Sequence, residues 1–269
     1  MQPVEACYHS VADRNGSRAL TSPARHTAFV TGAATGLGYV IACSLARAGY
    51  DLAVSSHEVG RLSELLCDPA VQNRKVIPVQ LDLRVEADIN IGFDTAVDVF
   101  GYIDVLVNNA GRALVKPAVD VAWADWDDVV AINLRGAYFM SQKFAAHCIA
   151  RNRPGCIVNI ASTHGLTGFA DRSVYGIAKG GLIQMTRMLA IEWAGHNIRV
   201  NAIAPSTALT PSRQKMHDPQ TLERMLARIP LGRFITPEEV AAAVCYLASA
   251  DAASITGQTL ALDGGLTAG

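Results

Sequence analysis
Thr27-Ala28-Phe29-Val30-Thr31-Gly32-Ala33-Ala34-Thr35-Gly36-Leu37-Gly38 carries a short apolar run straight into a glycine-rich turn, and an amphipathic stretch follows. The first part reads as a buried strand and the last as a helix. Glycine suits a backbone that turns sharply or must let a ligand come close. A helix starting there aims its first N–H groups, and the positive end of its dipole, at the turn, which suits a pyrophosphate. The spacing is Gly-x-x-x-Gly-x-Gly, not the commoner dinucleotide pattern Gly-x-Gly-x-x-Gly. A tight turn that binds nothing would look the same locally, so the neighbouring segments decide.

Outward from this turn, short apolar runs alternate with longer amphipathic ones, the pattern of β-α-β units and a parallel sheet. Strands buried on both faces should be apolar throughout. That selects Thr27–Thr31, Leu52–Ser55, Val76–Leu81, Val105–Val107, Ile157–Ile160, Val200–Ile203 and Thr259–Leu262. Helical spacing falls on 37–48, 58–67, 86–100, 124–150, 174–194 and 237–249, the last behind a Thr236-Pro237 start. The fold expected is α/β of the Rossmann kind: a doubly wound, seven-stranded parallel sheet with helices on both faces, a three-layer αβα sandwich. Residues 26–269 are expected to form one domain, with a substrate lid over the polar, proline-punctuated stretch 207–230. Residues 1–25 lack hydrophobic periodicity and read as a flexible tail, with a transit peptide as the alternative.

Half of the residues are hydrophobic, 17% are charged, and the formal net charge is −1 without a run of like charge. Nucleic acid and anionic membranes call for a basic surface, so neither is an expected partner. Six cysteines, Cys7, Cys43, Cys67, Cys148, Cys156 and Cys245, have no paired spacing. Reduced thiols in a cytoplasmic protein, and no metal site, are expected.

Tyr175 and Lys179 stand four residues apart, on one face of a predicted helix. A phenol near pKa ~10 is a poor base at neutral pH, and an ammonium beside it stabilises the phenolate. Ser162 ends the fifth predicted strand, and Asn133 lies further upstream. A Tyr-x-x-x-Lys pair alone is an ordinary surface feature. Joined to this serine, this asparagine and the glycine turn, it is specific.

Thr31-Gly32-x-x-x-Gly36-x-Gly38 with this set resembles the short-chain dehydrogenase/reductase family over about residues 27 to 266. The resemblance implies an oxidoreductase using NAD(P), with Tyr175 as general acid/base. Lys179 would lower the tyrosine's hold on its proton and bind the ribose, Ser162 would donate to the substrate oxygen, and Asn133 would hold a water leading to Lys179. Cofactor contacts would come from Gly32, Thr35, Gly36, Leu37 and Gly38 in the turn, and from Tyr175 and Lys179. Asp82 and Leu83 would meet the adenine, though Asp82 could equally cap a helix. Asn109, Ala110 and Gly111 in Asn108-Asn109-Ala110-Gly111 would lie along the cofactor, and Pro205, Ala208 and Thr210 near its nicotinamide. Substrate would meet Ser162, His164 and Tyr175, with Phe169, Asp171 and Arg172 as further lining.

Two departures from the family stand out. Ser206 follows Pro205 where the family commonly has glycine. Ser56 stands where NAD-preferring members usually carry an acidic residue, and Ser56 with His57 can donate to a 2′-phosphate. NADP(H) is therefore the favoured cofactor, with NAD(H) as the alternative. The leading function is interconversion of a secondary alcohol and a ketone. A 3-oxoacyl-(acyl-carrier-protein) reductase is the alternative within the enzyme class, and a non-catalytic nucleotide sensor the alternative outside it. The acyl-carrier reading looks to Arg151 and Arg153 for cations near the cleft. Apolar residues on 135–150 and 176–194 predict helix-on-helix packing between subunits and a homotetramer.

Overall fold
β1 (Thr27–Val30), β2 (Asp51–Ser56), β3 (Val76–Gln80), β4 (Val105–Asn108), β5 (Gly155–Ile160), β6 (Ile198–Pro205) and β7 (Thr259–Leu262) pair in parallel in the order β3-β2-β1-β4-β5-β6-β7. The computed structural model describes residues 26–208 and 218–268; the tail 1–25, Cys7, Thr210 and part of the expected lid lie outside them. The helices are α1 (Gly36–Arg47), α2 (Ser63–Cys67), α3 (Glu86–Phe100), α4 (Trp123–Val130), α5 (Gly136–Ala150), α6 (Ser173–Trp193), α7 (Pro219–Leu226) and α8 (Pro237–Ala248). The chain steps from β1 through β2 to β3 and then returns to β4 on the other side of β1. Strand order therefore reverses between β1 and β4, which opens a crevice at their carboxyl ends.

The pleat sends alternate side chains to opposite faces and so makes two cores. Phe29, Leu106, Ile157 and Val200 face Phe93 of α3, Met140 and Phe144 of α5, and Leu182 and Leu189 of α6. Ala28, Val30, Val107 and Val158 face Ile41 and Leu45 of α1, and Val240 and Val244 of α8. Each large aliphatic or aromatic side chain buried this way contributes about 1.5–3 kcal/mol. The inner strands β1, β2, β4 and β5 are buried at every residue, whereas the edge strands β3 and β7 are only partly covered.

One polar feature crosses the first core. Asn108 Nδ2 donates to Asn159 Oδ1 at 2.8 Å and to Ser141 Oγ at 2.9 Å, and Asn159 Nδ2 donates to Thr186 Oγ1 at 2.9 Å. All four residues are buried, so β4, β5, α5 and α6 are tied together by one chain of hydrogen bonds.

The stretch 124–150 is not one uniform helix. Residues Ala131–Arg135 form a π turn between α4 and α5. The side chain of Asn133 donates to the Val129 carbonyl at 2.9 Å, the acceptor that its own N–H would use in an α-helix. Its Nδ2 also reaches the Arg112 carbonyl at 2.8 Å. Such single-turn expansions gather at functional positions. The stretch 58–67 is likewise split, into a 3₁₀ turn Val59–Leu62 followed by α2.

The apolar residues that suggested packing between subunits are mostly covered within the chain. Ala137, Met140, Phe144, Cys148, Leu182, Met185, Leu189 and Trp193 are all buried, while Phe139 and Met188 remain 43% and 60% exposed. The sheet face covers more of α5 and α6 than their composition suggested, because both helices lie flat on it. Among the described residues, no helix is long and apolar enough to cross a membrane.

Candidate active site
The carboxyl ends of β1 to β6 bring the sequence-selected residues to one end of the sheet. At the first, Gly32 has φ +65° and a Cβ there would stand 2.7 Å from Ala110 Cα, so only glycine fits. Gly36 has φ +63°, and open space lies where its side chain would be. Thr35 precedes α1 without making a side-chain cap bond. The first N–H groups of α1 thus face that space and suit an anion.

The turn is fixed to β4 by a residue that the sequence reading used only as a motif letter. Thr31 Oγ1 accepts from Asn109 N at 3.0 Å and Ala110 N at 3.1 Å, and Asn109 Nδ2 donates to the Thr31 and Gly32 carbonyls at 2.9 and 3.0 Å. The Asn109-Ala110-Gly111 backbone is therefore held flat along the crevice.

At the end of β2, Ser56 is buried and its Oγ accepts from Glu58 N at 3.3 Å. His57 is half-exposed, with Nε2 3.5 Å from Glu58 Oε1. Glu58 was not part of the sequence reading, although it stands two residues beyond Ser56. Asp82 follows β3 and is held by Arg84, whose Nη2 lies 2.6 Å from Asp82 Oδ2. The Arg84 guanidinium holds the Asp82 carboxyl below the usual carboxylate range. Asp82 caps no helix, since Val85 is the residue that precedes α3. Leu83 is buried against Gly136.

Lys179 is buried on α6, one turn beyond Tyr175, and its Nζ donates to the Ile160 carbonyl at 2.7 Å. Nζ lies 5.8 Å from the centre of the Tyr175 ring. Burial lowers the Lys179 pKa to about 8, because an ammonium away from water is costly. Across from it, Asn133 Oδ1 is buried with no hydrogen-bond partner among the described residues. A Cβ on Gly111 would stand 2.8 Å from Asn133 Oδ1 and 3.5 Å from Lys179 Nζ, so the two groups flank one point.

Ser162, just past β5, accepts the backbone N–H of His164 at 3.2 Å. The His164 ring stacks on Phe169 at 4.2 Å between centres and meets the Tyr175 ring edge-on at 5.6 Å. The Arg228 guanidinium, beyond α7, lies 5.0 Å from the centre of Phe169. This last contact joins positions 59 apart in the chain and left no trace in the spacing. An open depression beside these rings is lined by His164, Phe169, Arg172 and Ile177.

Pro205 ends β6, Ser206 N donates to the Leu262 carbonyl at 2.9 Å, and Ala208 bridges to Ile235. Ser206 is not among the non-glycine residues with positive φ, so serine fits here without backbone strain. Arg151 and Arg153 stand before β5, at the opposite end of the sheet from Ser162. Arg153 lies over the Tyr102 ring at 3.6 Å and pairs with Asp104 at 3.4 Å. Neither arginine is near the crevice, contrary to the sequence expectation.

A family profile described as enoyl-(acyl carrier protein) reductase matches residues 32–267. The chain is 39% identical over 239 residues to the 2-dehydro-3-deoxy-D-gluconate 5-dehydrogenase of Escherichia coli K12, covering 88% of this chain and 94% of that protein. It is 38% identical over 237 residues to the 3-oxoacyl-(acyl-carrier-protein) reductase FabG of Thermotoga maritima, covering 88% and 96%. A solved short-chain type dehydrogenase/reductase from Mycobacterium marinum superposes with a TM-score of 0.86 at 29% identity, covering 91% and 96%. With matches of this breadth to sequence and structure alike, the chain belongs to the short-chain dehydrogenase/reductase family of NAD(P)-using oxidoreductases.

Proposed function
We propose that the protein is an NADP(H)-preferring oxidoreductase that interconverts a secondary alcohol and a ketone, with Tyr175 as the general acid/base. The observation that carries this reading is the buried Lys179 ammonium one helical turn from Tyr175. A buried cation without a carboxylate partner costs stability, and here its charge can favour the phenolate of Tyr175. During reduction Tyr175 Oη gives its proton to the carbonyl oxygen, and during oxidation it takes one back. Ser162 Oγ donates to the same oxygen, where charge develops. The unpartnered Asn133 Oδ1, across Gly111 from Lys179, can hold a water through which Lys179 returns the proton.

The residues at the crevice fit a dinucleotide. The open α1 amides from Thr35 to Gly38, with Gly32, would hold its pyrophosphate, and Asp82 and Leu83 its adenine. Asn109, Ala110 and Gly111 would line its ribose side, and Pro205, Ala208 and Thr210 its nicotinamide. When bound, the nicotinamide supplies or accepts the hydride. Ser56 and His57 favour a 2′-phosphate, while the Glu58 carboxylate beside His57 opposes one, so the preference for NADP(H) is moderate. In the same reading residues 26–269 form one cytoplasmic dehydrogenase domain with its lid at 207–230, assembled as a homotetramer.

A panel of ketones, sugar acids and acyl thioesters, each assayed with NADPH and NADH, tests the proposal. Failure of either dinucleotide to bind, followed by fluorescence, would overturn it. The Thermotoga relative favours a second reading, reduction of 3-oxoacyl groups on a carrier protein. Against it, Arg151 and Arg153 lie at the wrong end of the sheet to receive an acidic carrier. A carrier-bound 3-oxoacyl group turned over far faster than the same group on a short thiol would reverse this preference.

A further inference from the structure
His164 Nδ1 lies 3.2 Å from Ser162 Oγ, in addition to the bond that the His164 backbone N–H already makes to that oxygen. A serine hydroxyl has one proton and two acceptor positions, and the backbone N–H fills one of the two. The imidazole decides the rest. If Nδ1 carries its proton, it fills the second acceptor position, and the serine's own proton must point elsewhere. If Nδ1 is bare, it takes that proton, and Ser162 has none to give a substrate.

We infer that His164 is a positioning residue: it donates from Nδ1 to Ser162 Oγ and so directs the Ser162 proton at the substrate oxygen. The inference rests on the role proposed above for Ser162 as a donor. The ring is held by two aromatic neighbours. Phe169 stacks on it at 4.2 Å, Tyr175 meets it edge-on, and Arg228 in turn lies over Phe169. Packed against two rings, the imidazole keeps its plane and its place beside Ser162, and the contact to Ser162 Oγ selects the ring orientation with Nδ1 toward the serine. Arg172 lines the same depression as the His164 ring.

The test compares Ser162→Ala, His164→Leu, His164→Asn and His164→Gln, with the double variant Ser162→Ala/His164→Leu. The asparagine amide can donate from near the Nδ1 position, whereas the glutamine amide reaches toward Nε2. His164→Leu should lower kcat at least tenfold with KM changed less than threefold, and His164→Asn should recover most of that loss while His164→Gln does not. In the Ser162→Ala background His164→Leu should cost almost nothing further. Full additivity in the double variant would overturn the inference, since His164 would then act on substrate independently. Equal rescue by asparagine and glutamine would overturn it as well. If Ser162→Ala itself keeps full activity, it is the donor role of Ser162 that fails. A readout free of any substrate comes from long-range ¹H–¹⁵N spectra of the imidazole. These should show the Nδ1–H tautomer in the wild type and a change of tautomer balance in Ser162→Ala; a bare Nδ1 in the wild type refutes the inference.

Discussion
Lys179 Nζ donates to the Ile160 carbonyl at 2.7 Å, and no carboxylate pairs with it among the described residues. The ammonium is thus anchored to the end of β5 by a neutral acceptor, which fixes its place without cancelling its charge. A carboxylate partner would hold Lys179 charged but shield Tyr175 from it. The arrangement sacrifices stability for a field at the phenol.

Lys179→Met should therefore stabilise the ligand-free protein while abolishing turnover. The Lys179 pKa is lowered to about 8, against an unfolded value of 10.5. Below pH 8 the group is protonated in both states and its burial penalty is present in full. Between pH 8 and 10.5 the unfolded chain binds the extra proton, so this group's contribution to stability rises with pH. The shift corresponds to about 3 kcal/mol, less the roughly 1 kcal/mol lost with the Ile160 bond. Chemical denaturation should show Lys179→Met about 1–2 kcal/mol more stable at pH 7, with the difference shrinking between about pH 8 and 10.5. A variant less stable at both ends of that range would contradict this.

Tyr175→Phe removes one oxygen and leaves the ring that His164 meets edge-on. Folding and dinucleotide affinity should survive, while turnover should fall by about 10²-fold or more, the usual scale for a lost acid/base. Retention of more than a tenth of the rate would refute the assignment of Tyr175.

Cofactor choice turns on the end of β2. Ser56→Asp would set a carboxylate where a 2′-phosphate is expected, and two like charges at ~4 Å with an effective dielectric of ~20 repel by several kcal/mol before screening. A third of that is about tenfold in affinity. The variant should lose NADP(H) and gain NAD(H). Glu58→Gln should act the other way, tightening NADP(H) by a few-fold, because it removes the carboxylate 3.5 Å from His57. Dissociation constants for both dinucleotides decide this, and a wild type already tighter for NAD(H) would defeat the reading of Ser56 and His57.

The expected homotetramer now rests on fewer residues than the sequence suggested. Ile177, Met188 and Ile191 are 54%, 60% and 81% exposed along α6, with Phe139 on α5 at 43%. Light scattering at micromolar concentration should give four subunits, and Ile191→Glu should lower that number. A monomeric wild type would refute the assembly.

Much of the site was legible because it is written in short, local patterns. The glycine turn, the Tyr175–Lys179 step and the strand end at Ser162 each lie within one element or its boundary. What the sequence hid depends on pairs far apart in the chain. Arg228 over Phe169 needs the tertiary fold, and the π turn at Asn133 arises because a side chain competes for the Val129 carbonyl, which no hydrophobic period reports. The buried faces of α5 and α6 were misread for a related reason. Composition counts apolar residues but does not tell how much of a helix a sheet can cover. Glu58 lies beyond the end of β2, where no strand pattern marks it, and only the turn brings its carboxylate to His57.

The chain of amides and hydroxyls through Asn108, Asn159, Ser141 and Thr186 bears on the folding of a sheet whose strands are otherwise nearly interchangeable. β4 and β5 are short and apolar, and apolar side chains tolerate a slip along the strand far better than polar ones do. Asn108 sits directly opposite Asn159 in the register of the two strands. Moving either strand by two residues keeps every apolar side chain on its proper face, yet breaks the Asn108–Asn159 bond and leaves buried amide groups without partners, each at about 1–3 kcal/mol. The ladder therefore works as a registration key: it adds little to the depth of the native well and removes its nearest competitor. Replacing both asparagines by leucine should leave a protein that still collapses but no longer settles on one alignment of its central strands.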